Sequence, residues 1–267
     1  METETVDLGT QFLRLERRDH LAWCTIDRPK SRNALSPAMY YGVKRAVDWV
    51  NARSEPTALI ITGVGDVFAP GGEMSGKWED ANPVVEALAS GDVLPFEALR
   101  HSAAPMVAAV NGICQGGGLL IAMLCDVAVV SERATFRAPE LLRGIADSGY
   151  GAYLPPHVGI ARARDLLFTA RKLDAREAVE MGLVSRVVPH EQLADAAREV
   201  AESILRTAPE ARMHVKRMIH ERYGAVDRMS MDWSLWKGSE AREGMAAFVE
   251  KRAPAWVPKG LDTGKRL

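Results

Sequence analysis

Apolar and polar residues alternate from Phe12 to Arg17 and again from Leu21 to Ile26, on either side of Arg18-Asp19-His20, which predicts a β-hairpin. Ser36 and Pro37 form an N-cap and a first-turn proline. Met39, Tyr40, Val43, Val47 and Val50 then recur at helical spacing, predicting a helix to Asn51. Unbroken apolar runs at Ala58 to Thr62 and Met106 to Val110 read as buried strands, and Leu119 to Leu124 as a buried helix. Between them, Val93 to Arg100 reads as a helix and residues 76–91 as the least regular, most mobile part of the core.

The same rhythm continues with strands at Asp126 to Val130 and Thr135-Phe136 and a short helix at Pro139 to Leu142. A Gly/Pro-rich loop is expected at Gly144 to Pro156, and a helix at Ile160 to Ala170. Asp174 caps a further helix that ends at Gly182, and Leu183 to Val188 alternates as a strand. From His190 onward only helices are expected: Glu191 to Arg206, Pro209 to Tyr223, Val226 to Lys237 and Ser239 to Lys251. Met229, Trp233 and Trp236 form a stripe at helical spacing. A mixed α/β core carrying a Met- and Trp-rich helical tail suggests that the tail makes subunit contacts.

The glycines change this picture from a fold to a site. Gly116, Gly117 and Gly118 lie between the strand from Met106 and the helix from Leu119, at a helix N-terminus. Unpaired N–H groups and the positive end of the helix dipole meet there, and no Cβ keeps a ligand oxygen away. The chain has no G-x-G-x-x-G and no Lys-Ser/Thr after the glycines, so nucleotide-binding motifs fit poorly. An oxyanion hole, or close helix packing without chemistry, are the readings left. Phe68-Ala-Pro-Gly-Gly-Glu-Met-Ser75 is a second place where glycines expose backbone donors.

Composition narrows the classes. With 267 residues and a net charge of −1, the chain can bury a large core and carries no global field toward nucleic acid or an anionic membrane. Cys24, Cys114 and Cys125 have no metal-ligand spacing and sit in apolar runs as reduced thiols. The acidic N-terminus lacks a signal-peptide h-region, and no apolar run approaches membrane-spanning length. A soluble cytoplasmic protein is expected, with no metal, no nucleic-acid partner and no membrane partner.

Seven blocks, taken together, resemble the crotonase superfamily, also called the enoyl-CoA hydratase/isomerase family. They are Asp27-Arg-Pro-x-x-x-Asn-Ala-Leu35, Phe68-x-x-Gly-Gly-Glu-Met74, Ala109-Val-Asn-Gly-x-x-x-Gly-Gly-Gly118, Cys125-Asp126, Phe136-x-x-Pro-Glu140, Ala175-x-Glu-Ala-x-x-x-Gly-Leu-Val184 and Phe248-x-Glu-Lys-Arg-x-Pro254. They occur in the family's order and span about residues 12 to 256. The resemblance implies an α/β spiral of ββα repeats over residues 1–206 and a helical oligomerisation region over 207–267, forming a homotrimer or a dimer of trimers. It implies an acyl-CoA substrate, coenzyme A entering as part of that substrate and no separate cofactor. It assigns the oxyanion donors to the N–H groups of Gly72 and Gly117. CoA binding falls to Arg28, Lys30 and Arg32 near the phosphates, Ala34 and Leu35 near pantetheine and adenine, and Phe248 and Lys251 near the nucleotide end. A thioester that loses an α-proton or gains a nucleophile at its β-carbon becomes an enolate, and two aimed donors stabilise the charge on its oxygen.

The family's hydratases hold one water between two glutamates. Here the first of those positions is Leu120 and the second is Glu140. One carboxylate suffices to move a proton between two carbons of an enolate, and Glu140 in a semi-buried pocket would have a raised pKa. Asp147 is a second candidate, because family members that isomerise dienoyl-CoA carry an aspartate in this loop. Structural readings compete: Glu140 as a helix-start acid paired with Arg137 or Arg143, Asp147 as a turn organiser, Glu73 as a local structural acid and His157 as packing. The expected activity is double-bond isomerisation or atypical hydration. The alternatives are ordinary 2-enoyl-CoA hydration in fatty-acid degradation and a catalytically silent CoA-binding subunit.

Overall fold

The computed structural model describes residues 3–76, 78–88, 90–223 and 238–255. The expected helix at Val226 to Lys237, with its Met229, Trp233 and Trp236 stripe, lies outside the described residues. Two sheets share the strands. The larger runs β1 (Glu4–Val6), β2 (Leu13–Arg18), β3 (Leu21–Ile26), β4 (Ala58–Gly63), β6 (Met106–Val110), β8 (Val127–Ser131) and β11 (Arg186–Val188). The smaller runs β10 (Leu173–Asp174), β9 (Thr135–Arg137), β7 (Ile113–Gln115) and β5 (Val67–Ala69).

Each circuit of the chain places one strand in the large sheet and the next in the small one: β4 then β5, β6 then β7, β8 then β9. The helix Gly117–Leu124 closes one such circuit, so the molecule is a spiral of ββα turns. From β3 through β11 the large sheet is parallel, while β1, β2 and β3 pair antiparallel. Parallel strands covered on both faces require continuous apolar sequence, and all five residues of β6 are buried. The hairpin register, Arg18 opposite Leu21, follows the alternation read from the sequence, with Asp19 turning the chain at φ +55°.

Buried asparagines pin the tight crossings between sheets. The Asn111 side chain accepts from the Gly63 N–H at 3.1 Å and donates to Gly65 O at 2.9 Å. Asn33 donates to Val67 O at 2.6 Å and accepts from the Arg28 N–H at 3.0 Å. Each satisfies backbone groups that the turns leave without ladder partners.

Three expectations change. The helix expected from Val93 to Arg100 is interrupted, giving Ser90–Val93 and Phe96–His101, because Pro95 has no N–H to continue the first. The loop expected at Gly144 to Pro156 contains a helix, Ser148–Val158. Tyr150, Tyr153, Leu154 and Val158 are buried at helical spacing there, and that burial outweighs the low propensity of Gly149, Gly151, Pro155 and Pro156. The small strands β5 and β7 were too short to register as apolar runs.

Beyond β11, the helix Leu193–Leu205 packs its Leu193, Ala197, Val200 and Ala201 stripe under the large sheet. The helices Pro209–Tyr223 and Ser239–Glu250 follow. Buried Lys216 pairs with Asp126 at 2.9 Å and ties the first of them to the core. The second packs on the 3-10 turn Glu140–Arg143. A Cβ on Gly144 would collide with Glu240, and one on Gly244 with the Arg143 backbone. No helix among the described residues is long and apolar enough to cross a membrane.

Candidate active site

The two glycine turns meet. A Cβ built on Gly71 would lie 3.5 Å from the Gly117 nitrogen, and one built on Gly116 would lie 3.2 Å from the Gly71 Cα. On the first turn, Leu35 bridges the segment by donating to Gly71 O at 2.9 Å and accepting from the Glu73 N–H at 2.8 Å. A parallel bridge uses the groups of the residues flanking its central partner, so the Gly72 N–H faces away from Leu35. Gly72 is exposed. Leu35 therefore acts here as backbone support for one donor.

On the second turn, Gly117 is the first residue of its helix, and its N–H has no intrahelical acceptor. Gly116 sits at φ +54° and ψ −136°, a conformation closed to residues with a Cβ. Its carbonyl accepts from the Tyr150 hydroxyl at 2.7 Å and from the Leu119 and Leu120 N–H groups at 2.9 and 3.2 Å. Because a trans peptide holds C=O and the following N–H antiparallel, fixing the Gly116 carbonyl also aims the Gly117 N–H. Gly117 is half-buried, so a ligand can reach this donor as well.

The carboxyls stand next to the donors. Glu140 opens its 3-10 turn, and its Oε1 lies 3.1 Å from where a Cβ on Gly116 would be. Its Oε2 is buried and has no hydrogen-bond partner among the described residues. Burial, reinforced by the charge of Asp147, pushes the Glu140 carboxyl up to about 8, against smaller opposing effects of its own backbone N–H and Arg143. The carboxyl is therefore mostly protonated near neutral pH.

Asp147 caps the helix Ser148–Val158, its Oδ1 accepting from the Gly149 N–H at 2.8 Å and the Tyr150 N–H at 3.3 Å. Burial raises its pKa, while those two N–H groups work to lower it. Leu120 is fully buried, and its methyls lie 3.4 and 3.5 Å from where a Cβ on Gly149 would be, a position 3.0 Å from Asp147 Oδ1. An aliphatic group thus stands near Asp147, and the charge of Asp147 acts on Glu140.

The other candidates separate into buried and surface groups. Arg28 turns inward, donating to Ala34 O at 3.0 Å and pairing with Glu73 at 3.1 Å, with its guanidinium 5.1 Å from the Phe12 ring centroid. It buttresses the loop, and Glu73, which also accepts from the Ser75 N–H, is its local partner. Lys30 and Arg32 are exposed on the same loop, while Ala34 is half-buried. Phe248 is 47% exposed and lies under the Arg143 guanidinium at 4.8 Å, and Lys251 ends that helix at φ +57°. His157 shares a 2.7 Å hydrogen bond with the Tyr153 carbonyl.

Two residues escaped sequence reasoning. Tyr150 lay inside the presumed loop. Tyr40 lay in an ordinary apolar stripe, yet its hydroxyl stands against both glycine turns: a Cβ on Gly117 would collide with it, and one on Gly72 would lie 3.7 Å away. Only the three-dimensional crossing of the helix Pro37–Asn51 over the turns reveals this.

Known proteins resemble this chain in sequence and in fold. Residues 16–259 match the family model described as enoyl-CoA hydratase/isomerase. A mevalonyl-coenzyme A hydratase from Aspergillus fumigatus is 35% identical, covering 91% of this chain and 93% of that protein. A short-chain-enoyl-CoA hydratase from Clostridium acetobutylicum is 34% identical, covering 89% and 94%. An enoyl-CoA hydratase/isomerase structure from Pseudoalteromonas atlantica T6c superposes with a TM-score of 0.79 at 31% identity, over 92% of this chain and all 100% of that one. A monofunctional enoyl-CoA isomerase structure from M. smegmatis does so with a TM-score of 0.68 at 29% identity, over 83% and 98%.

Proposed function

The chain belongs to the enoyl-CoA hydratase/isomerase family, and from that premise we propose that it shifts a double bond within an enoyl-CoA thioester, through an enolate bound at Gly72 and Gly117. The observation that carries this reading is that buried Glu140 feels the charge of a second carboxyl, Asp147, which has the aliphatic Leu120 near it. Two carboxyls on separate turns suit delivery of a proton to one carbon and its removal from another. Leu120 offers nothing to orient a water.

In the reading proposed, ionised Glu140 takes a proton from the α-carbon of a 3-enoyl thioester. The C–H electrons form the C1–C2 double bond of the dienolate, and the thioester oxygen takes the charge. Asp147 in its acid form then protonates the γ-carbon, and the electrons return to give the 2-enoyl product. One C–H bond breaks and one forms, with no water consumed. The two backbone donors oppose the developing charge, each worth on the order of a hundredfold in rate. Lys30 and Arg32 would meet CoA phosphates, and exposed Met213, Met218 and Ile219 on the helix Pro209–Tyr223 suit a trimer contact.

Ordinary or atypical hydration of a 2-enoyl thioester is the second reading, favoured by the hydratase names of the relatives above. Incubation of the purified protein with 2-enoyl, 3-enoyl and 3,5-dienoyl thioesters separates the two. Isomerisation predicts conversion of the 3-enoyl or dienoyl substrate, while fast conversion of the 2-enoyl substrate alone sinks it. Turnover abolished by Glu140→Gln excludes a silent CoA-binding subunit, and light scattering tests the trimer.

A further inference from the structure

Tyr40 belongs to no part of the machinery described so far, yet it occupies the junction of both glycine turns. The helix Pro37–Asn51 is fixed by its Ser36 cap, whose Oγ accepts from the Met39 N–H at 3.1 Å, and by the buried Met39, Val43 and Val47. The Tyr40 N–H donates to Ser36 O at 3.0 Å, so this residue sits in the rigid first turn. Phe96 packs on the ring edge-on, with centroids 6.2 Å apart and planes at 74°, which sets the ring's orientation. The phenol tip is thereby delivered to Gly117, with its Cε2 and hydroxyl each 3.7 Å from where a Cβ on Gly72 would be. That hydroxyl makes no hydrogen bond among the described residues. Its oxygen is not sealed in the core, so a ligand oxygen entering between the glycine turns can reach it.

We propose that the Tyr40 hydroxyl is a third donor to the thioester oxygen, joining the N–H groups of Gly72 and Gly117 when the enolate forms. This rests on the enolate reading above. Burial, with the charges of Glu140 and Asp147 nearby, holds the phenol above its ordinary range, so it remains a protonated donor throughout the working pH range. A neutral donor on a short, packed side chain needs no rearrangement to meet the charge, which is the condition under which such a group contributes to rate.

Acetoacetyl-CoA provides the test, because its enolate absorbs in the near ultraviolet and no turnover is needed. At one fixed pH the bound enolate-to-ketone ratio is measured for the wild type and for Tyr40→Phe, alongside kcat and KM on whichever enoyl thioester is turned over. The expected result is a ratio about tenfold lower in the Phe variant, a similar loss in kcat and a KM within about threefold. An unchanged or higher ratio in Tyr40→Phe overturns the proposal, and tighter binding with faster turnover would show that the hydroxyl obstructs the site. Should the wild type bind acetoacetyl-CoA without any enolate, the enolate reading itself falls, and the Tyr40 proposal with it. Thermal melting checks that the Phe variant folds. If it does not, Tyr40→Met, which keeps an apolar side chain without the hydroxyl, is read by the same ratio.

Discussion

The two halves of the site are built on opposite principles. The donor half, Gly72 and Gly117, is backbone held by backbone: the Leu35 bridge on one side and the helix start at Gly116 on the other. The acid half, Glu140 and Asp147, is side chain held by burial, on a 3-10 turn and a helix cap beside Leu120. Donors that are part of the main chain cannot be lost by substitution without disturbing the fold. Carboxyls can be exchanged singly, so in the reading proposed the half that chooses the reaction is the one free to vary.

Glu140→Gln breaks the acid half alone. Turnover of the preferred thioester is expected to fall by roughly 10²–10⁴-fold with acyl-CoA binding retained, measured by steady-state kinetics and calorimetric titration. Gly117→Ala attacks the donor half. Its Cβ meets the Tyr40 hydroxyl, so kcat should fall about a hundredfold and KM should change as well. A loss confined to kcat in both variants would erase the distinction between the halves.

Leu120→Glu asks whether the acid half tolerates a third carboxylate. Buried near Asp147, it is expected to destabilise the fold by roughly 2–5 kcal/mol in chemical denaturation, without yielding fast 2-enoyl hydration. A stable, active hydratase would show that residue 120 alone selects the reaction.

The raised pKa of Glu140 has a sign that denaturation can read. The folded chain keeps a proton that the unfolded chain releases between the ordinary carboxylate range and about 8. Stability from this group is therefore full at low pH, declines as pH rises through that window and levels off above it. The melting temperature of Glu140→Gln relative to wild type should climb across the same window, and a constant difference would contradict the burial described. Catalysis needs Glu140 ionised and Asp147 protonated at once, so kcat/KM for isomerisation should pass through a maximum and fall as pH rises through about 8 and the pair loses its shared proton.

The smallest effect concerns neither half. Lys30→Glu combined with Arg32→Glu should raise KM a fewfold through lost phosphate attraction, while kcat holds. An unchanged KM would leave that loop as a solvated surface.

The donor half was the more legible from sequence. Consecutive glycines after a buried strand announce a tight strand-to-helix crossing, because few other reasons place three together. The parallel strands β4, β6 and β8 were equally plain as apolar runs. The acid half was partly hidden. Glycines and prolines between 144 and 156 suggested a loop, and only the burial of Tyr150, Tyr153 and Leu154 makes it helical. Arg28 read as a surface cation because nothing local shows that Glu73, 45 positions along, will face it. Tyr40 was invisible for the same reason: its importance comes from a crossing of distant elements.

The close fit of Gly144 and Gly244 joins the turn carrying Glu140 to a helix, Ser239–Glu250, that is made much later than the turn. On the ribosome, both glycine turns emerge more than a hundred residues before that helix does. In the reading proposed, a nascent or truncated chain therefore owns a cradle for negative charge while its proton-handling turn still lacks a backing, and holds a thioester before it can transform one.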